Sequence, residues 1–363
     1  MRIERYLAAE CLVMALALAG AALATRGLLH IARRGASLGE RLAQARPGPG
    51  LTALAPLGPA RIALAVPSLP RVRQDAAGSF MGQDDEVLIA RMRTQAITRM
   101  KFNHGGSSLS FRVDFADGSR AAFKPAQTNL QTIPRKEVAA YRINRLLGLN
   151  AVAPATPRLV TRAEMLTHLH PETLPMLPRI RAETIFDPRG ETAGVMMYWI
   201  PVIKDSGLDT PEGIAQSTRW LTHAQPIPPG KHGLAAQLAS MLVFDFLIAN
   251  PDRYSGGNML TDEEGSRLYF MDNTMSFFIE PEGTAKTRIA LHRCERFSRS
   301  LYQALGRIAE ESLAPMLAQA SEGDYQILTR AEIRAVVARR DYVKSYVDRL
   351  VARYGPEEVF FFP

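Results

Sequence analysis

One stretch narrows the possible folds of this chain more than any other, the run from Leu234 to Asn273. Leu234, Leu238, Met241, Leu242 and Phe246 recur at helical spacing and predict a buried helix. Asn250-Pro251 ends it, because proline lacks a backbone donor and pushes the residue before it out of the helical region. A loop follows over 252–257, then short strands over 258–260 and 268–271 around the turn Glu263-Glu264-Gly265. A polar loop is thus trapped between an apolar helix and apolar strands, and Asp252, Asn258 and Asp272 each stand where their flanks fix their direction.

The residues before this stretch read as a small antiparallel sheet. A helical pattern over 84–95 precedes strands over 97–102 and 108–115, joined across His104-Gly105-Gly106-Ser107. Asp117-Gly118 is a two-residue hairpin signal, and the next strand spans 120–125. Pro134 opens a helix with Val138, Tyr141, Ile143, Leu146 and Leu147 on its apolar side, stopped by Gly148. An apolar strand over 195–200 ends at Pro201, and the last third is helical and rich in arginine. Segments 161–191 and 205–231 carry no recognisable pattern. A β-rich half ahead of an α-rich half predicts a two-lobed α+β protein.

At the N-terminus, residues 6–25 carry one charge, Glu10, between Arg2/Arg5 and Arg26. Such a run reads as a signal peptide with a small-residue cleavage pattern at Ala22-Leu23-Ala24, or as a membrane anchor. Either way the protein is expected to be exported or membrane-anchored, on an undetermined side. Residues 26–83 read as a Pro/Gly/Ala-rich linker, with the folded body beginning near 80. The two lobes are expected over 84–200 and 201–363.

Composition removes several classes. Of 363 residues, 47% are apolar, which supports a large core and excludes a disordered chain. Two cysteines, Cys11 and Cys294, cannot build a disulfide framework or a cysteine zinc site, and the seven histidines are scattered. The serine-hydrolase elbow, the P-loop and the zincin motif do not occur. The 44 basic against 36 acidic residues give a net charge of +8. Arg288, Arg293, Arg296, Arg299, Arg334, Arg339, Arg340, Arg349 and Arg353 alternate with acids on predicted helices, which reads as solvated faces, and no nucleic-acid partner is expected.

What remains fits phosphoryl transfer, which needs one carboxylate to accept a hydroxyl proton, and an amide and a second carboxylate to hold a metal across the phosphates. Two upstream residues join this set. Lys124 ends a strand and is restricted by Pro125, while Glu137 opens a helix thirteen residues later, where the helix dipole favours a carboxylate.

Four segments, Gly105-Gly106-Ser107-Ser108-Leu109, Phe123-Lys124-Pro125, Asn250-Pro251-Asp252-Arg253 and Met271-Asp272-Asn273, agree in order and spacing with the atypical kinases. Over about residues 97–280 the chain resembles the four-jointed and Golgi casein or xylosyl kinases of the secretory pathway, related to HipA-like and type II phosphatidylinositol 4-kinases. The resemblance implies a kinase-like fold, ATP and Mg²⁺ or Mn²⁺ as cofactors, and a protein, glycan or lipid hydroxyl as acceptor. By it Lys124 would hold the α/β-phosphates and pair with Glu137. Asp252 would be the catalytic base, and Asn258 and Asp272 the metal ligands. Gly105, Gly106, Ser107 and Ser108 would lie over the nucleotide, with adenine against the Met197-Tyr198 backbone. The chain departs from ordinary protein kinases in three ways: it has no G-x-G-x-x-G, Asp252 and Asn258 are six steps apart rather than five, and Asp272 is followed by Asn273-Thr274. The longer spacing leaves a nucleotide-binding pseudokinase or scaffold as one alternative, and a phosphoinositide-type lipid kinase is the other.

Overall fold

The computed structural model describes residues 78–321 and 325–363. The expected export or anchor segment over 6–25 and the linker up to residue 77 lie outside the described residues. The last expected linker residues instead form a hairpin, β1 (Ser79–Phe80) with β2 (Gln83–Asp84), because Phe80 is fully buried against Leu88, Ile200 and Tyr269.

Helix α1 (Asp85–Thr94) starts where Asp84 accepts the Glu86 and Val87 amides, and its acids and bases stand at the ends the dipole favours. Strands β3 (Ile97–Phe102), β4 (Phe111–Phe115) and β5 (Arg120–Lys124) form the expected meander. Helix α2 (Arg135–Leu146) follows. Strand β6 (Ala155–Thr161) was hidden by Pro157, which is tolerated because β6 is an edge strand. Between β6 and β7 (Glu191–Tyr198), the apparently patternless segment holds α3 (Arg162–Thr167), a 3₁₀ turn (Pro171–Met176) and α4 (Leu177–Glu183). The five strands pair antiparallel in the order β3-β4-β5-β7-β6.

Strand β8 (Lys204–Asp205) and helix α5 (Pro211–Leu221, capped by Thr210) fill the second unpatterned segment. Helix α6 (His232–Ile248) is apolar on nearly every face and buried accordingly. It stops at Ala249 in the left-handed region (φ +51°), and the Asn250 amide returns 2.8 Å to the Asp245 carbonyl. Strands β9 (Met259–Thr261) and β10 (Leu268–Phe270) pair with each other, and β8 joins β9. Helices α7 (Ala285–Leu291), α8 (Arg299–Ala304), α9 (Glu310–Gln319), α10 (Arg330–Tyr354) and α11 (Pro356–Val359) complete the second half.

Two of the arginines expected on solvated faces are core residues. Arg339 on α10 is completely buried and donates to the carbonyls of Leu247, Phe278 and Glu280. Arg296 is buried too, donating to the Trp220 and Gln225 carbonyls. A guanidinium offers five donors in a fixed fork, so it can close off chain ends that converge in the interior.

Candidate active site

The site begins with register. Lys124 pairs with Val195 and Ala122 with Met197, which puts these four side chains on one face of the sheet. On the opposite face Phe123 packs so closely over Gly194 that a β-carbon there would stand 2.3 Å from its ring. Glycine at 194 therefore lets the strand carrying the lysine lie flat on its neighbour.

Lys124 is buried, and its Nζ lies 3.0 Å from Glu137 Oε1 on α2 and 2.8 Å from Asp272 Oδ1 beyond β10. Burial alone would lower the lysine pKa, but the charges of Asp272 and Glu137 outweigh it and hold the ammonium protonated well above its ordinary range. Burial works against the Asp272 carboxylate, yet Lys124 and the Thr274 hydroxyl, 2.8 Å away, bring its pKa down to about 2. Asp272 sits in the left-handed region (φ +48°), a conformation aspartate tolerates, with its side chain on Lys124 Nζ. The second Glu137 oxygen accepts from the Asn273 backbone amide at 3.1 Å and from its side-chain amide at 3.2 Å. One glutamate thus holds the β5 lysine with one oxygen and the segment after β10 with the other.

The loop after α6 is organised around Arg253, which is fully buried. Its guanidinium pairs with Asp245 at 2.9 Å, reaches Asn273 Oδ1 at 2.9 Å, and donates to the carbonyls of Asn258 (3.1 Å) and Met271. One side chain therefore ties the helix end, the loop and the Asp272 segment together. Asn250 adds to this, accepting the Asp252 amide at 3.0 Å and donating to the Asp272 carbonyl at 3.2 Å. Asp252 is half-buried, and the Asn258 amide donates to its carbonyl at 3.1 Å and to its Oδ2 at 3.3 Å. The additional residue between them is taken up by Gly256 and Gly257, both at positive φ (+101° and +77°), and the Gly257 amide donates to Asp209 at 3.2 Å.

The structure therefore brings Lys124, Glu137 and Asp272 into direct contact, and Asp252 into contact with Asn258, with Arg253 joining the two groups. The turn of Gly105, Gly106, Ser107 and Ser108 lies at the β3–β4 end of the same sheet, largely exposed. Its exit is pinned by buried Gln127, which bonds both the amide and carbonyl of Leu109, and Arg179 donates to the Ser107 carbonyl. Met197 faces the same side as Lys124, whereas the Tyr198 amide bonds the Pro154 carbonyl and its ring packs edge-on against Phe80.

Sequence reasoning overlooked Asp245 and Asp209, and it gave no role to Asn250, Arg253 and Asn273, although they stand in the segments that carry the resemblance. Asp245 was detectable, being the one charged residue inside an otherwise apolar helix. A buried charge needs a partner, and Arg253 is eight residues on. Asp209 has no local signal, since its role depends on the β8–α5 segment folding against the loop.

No family model and no curated protein sequence matches the chain. Solved structures do. The Golgi casein kinase with Mn and ADP bound superposes with a TM-score of 0.58 at 16% identity, covering 76% of this chain and 78% of that one. The structure of hydra Fam20 with sugar gives 0.57 at 20% identity, covering 75% and 90%. The two-lobed, kinase-like α+β fold expected from the sequence is the fold this chain has, and it is the fold of these two structures.

Proposed function

We propose that this chain is an ATP-dependent kinase that transfers the γ-phosphate to a hydroxyl of a protein or glycan. The observation that carries this reading is Lys124, buried between Glu137 and Asp272. A buried cluster of one lysine and two carboxylates adds little to stability over a set of apolar residues filling the same space, so its presence calls for a function. One fold relative is a casein kinase and the other was solved with sugar, which supports a protein or glycan acceptor.

Asp272, Asn258 and Asp252 present only oxygen donors, the set that suits Mg²⁺ or Mn²⁺ rather than zinc or copper. Asp272 is ionised at any physiological pH, and Asn258 spends its amide nitrogen on Asp252, leaving its oxygen as an acceptor. When bound, the metal neutralises charge on the phosphates. Lys124, positioned by Glu137, holds phosphate oxygens, and amides of the Gly105–Ser108 turn donate to others. Asp252 orients the acceptor hydroxyl and takes its proton as that oxygen bonds the γ-phosphorus, while the bond to the β–γ bridging oxygen breaks and ADP leaves. For location, the export or anchoring segment over 6–25 remains our proposal, resting on its low charge and basic flanks.

The test is incubation with labelled ATP and Mn²⁺, with casein and a glycan as acceptors. Transfer should fall by roughly 10²- to 10⁴-fold in Asp252→Asn while nucleotide binding persists, and should vanish in Asp272→Ala. Metal-dependent nucleotide binding without transfer in the unmodified protein would establish the scaffold instead, the reading favoured by the one-residue-longer Asp252–Asn258 loop.

A further inference from the structure

Three consecutive residues open helix α2, and all three reach into the second half of the molecule. Glu137 meets Lys124 and Asn273, as described. Arg135 grips Glu332 with both arms of its guanidinium, at 3.0 and 2.9 Å, and donates to the Ile327 carbonyl at 2.5 Å. Glu332 is itself buried and fixed by the Thr329 amide at 2.7 Å, in the capping box that starts α10. Lys136, also buried, donates to the Ser276 carbonyl and stands 5.1 Å from the centre of the Phe278 ring. None of the partners of Arg135 and Lys136 belongs to the nucleotide site, and every one of these contacts is made by groups of the chain itself.

The segment that follows Asp272 completes the picture. Its hydroxyls before α7 are Thr274, Ser276 and Thr284. Thr274 bonds Asp272, Ser276 is fully buried on the Asn273 carbonyl, and Thr284 caps α7. A phosphate could be added to the first two only by unfolding what they hold. In protein kinases the helix bearing the glutamate is commonly repositioned by activation-segment phosphorylation. Here neither the helix nor the segment offers that freedom.

We propose that Arg135 and Lys136 are positioning residues that fasten the first turn of α2 to the C-terminal half, so the Lys124–Glu137 pair is held assembled by the fold rather than by an activating event. The kinetic side of this inference rests on the proposed kinase activity; the structural side does not. If the fastening sets the fraction of molecules competent to bind ATP, its loss raises the apparent dissociation constant for ATP by the inverse of that fraction, and ATP itself pulls the population back. A residue of merely structural importance would instead remove active molecules, lowering kcat at unchanged KM.

The experiment pairs hydrogen exchange with steady-state kinetics on the full chain. Arg135→Ala should speed exchange across 135–146 and 272–278, and should raise the KM for ATP about tenfold with a smaller fall in kcat. Arg135→Lys, which keeps the charge and can reach one Glu332 oxygen, should recover most of both effects. Should Arg135→Ala not fold, Lys136→Met removes the second fastening and is read the same way. Unchanged exchange in the folded variants, or a loss confined to kcat, would overturn the proposal. Wild-type protein that transfers no phosphate would remove the kinase reading, and the exchange result would still decide the fastening.

Discussion

At the residue scale, Lys124 shows how a charge can be both costly and necessary. The carboxylates of Glu137 and Asp272 are held near one another only because the ammonium lies between them. The Asp272 pKa of about 2 is below its unfolded value, so its contribution to stability is present above pH 3.8 and is lost as pH falls toward 2. The raised lysine contributes below its ordinary value of 10.5 and is lost only at higher pH. The Lys124–Asp272 pair is thus fully effective from about pH 4 to pH 10. Replacing Lys124 with Met inverts this: burial, no longer opposed by the ammonium, then raises the Asp272 pKa, so the variant should be more stable at pH 5 than at pH 7.5. Thermal melts across that range check the sign, and a loss of about 3–5 kcal/mol at neutral pH is expected for breaking a buried pair. Gly194→Ala tests the packing beneath. Its new methyl group would press on the Phe123 ring and the Lys124 carbonyl, so about 1–3 kcal/mol should be lost in denaturant titrations, together with weaker nucleotide binding. The lysine, the glutamate and the two acids were legible because each follows a turn or proline that the sequence displays. Arg253 and Asn273 were not, since they bond to partners from three separate segments.

At the element scale, periodicity served best where an element meets water on one side or none. Strand β3 has the bounds its apolar and polar residues suggest, and α6 is apolar enough that only a buried helix fits it. Strand β6 fails that test because Pro157 suppresses the signal and only the edge position permits it. Helix α5 was obscured because Pro211, Gly213 and a run of small polar residues read as loop, although Pro at its first position is favourable and Gly213 packs against the Gly207 carbonyl. Helix α2 carries a measurable consequence. Burial lowers the Lys136 pKa to about 8, outweighing the attraction of Glu332. A folded-state value below the unfolded 10.5 means the unfolded chain binds more protons in between, so stability contributed by this site rises as pH climbs from about 8 to 10.5. Lys136→Met should abolish that rise, and the difference between the two melting curves isolates it from tyrosine ionisation. The loop over 252–258 offers a second case. Asp209→Ala should leave nucleotide affinity intact and reduce transfer by roughly tenfold, because the Gly257 amide loses its anchor while Lys124 keeps its own.

At the scale of the whole molecule, the halves share one apolar core and are also joined by cations that donate to carbonyls, Arg135 to Ile327 and Lys136 to Ser276. Among the described residues, no helix is long and apolar enough to cross a membrane. The fold was visible in outline because a meander, a helix and a second helical half follow one another in sequence, which leaves few ways to stack them. Its interior fastenings were not, because an arginine in the last third gives no local hint that it will be buried. Arg339 illustrates the point: burial draws its pKa down to about 10, and among the described residues it has no carboxylate within salt-bridge reach, only carbonyls from the end of α6 and from the chain beyond Asp272. Arg339→Leu would leave those carbonyls buried without donors, at about 1–3 kcal/mol for each one that cannot find water. Arg339→Lys keeps the charge but not the fork, so it should recover only part of the loss. Urea titration of the three proteins measures the ordering. If leucine proved as stable as arginine, the carbonyls would have to be satisfied by other groups, and the segment carrying Asp272 would owe its position to packing instead.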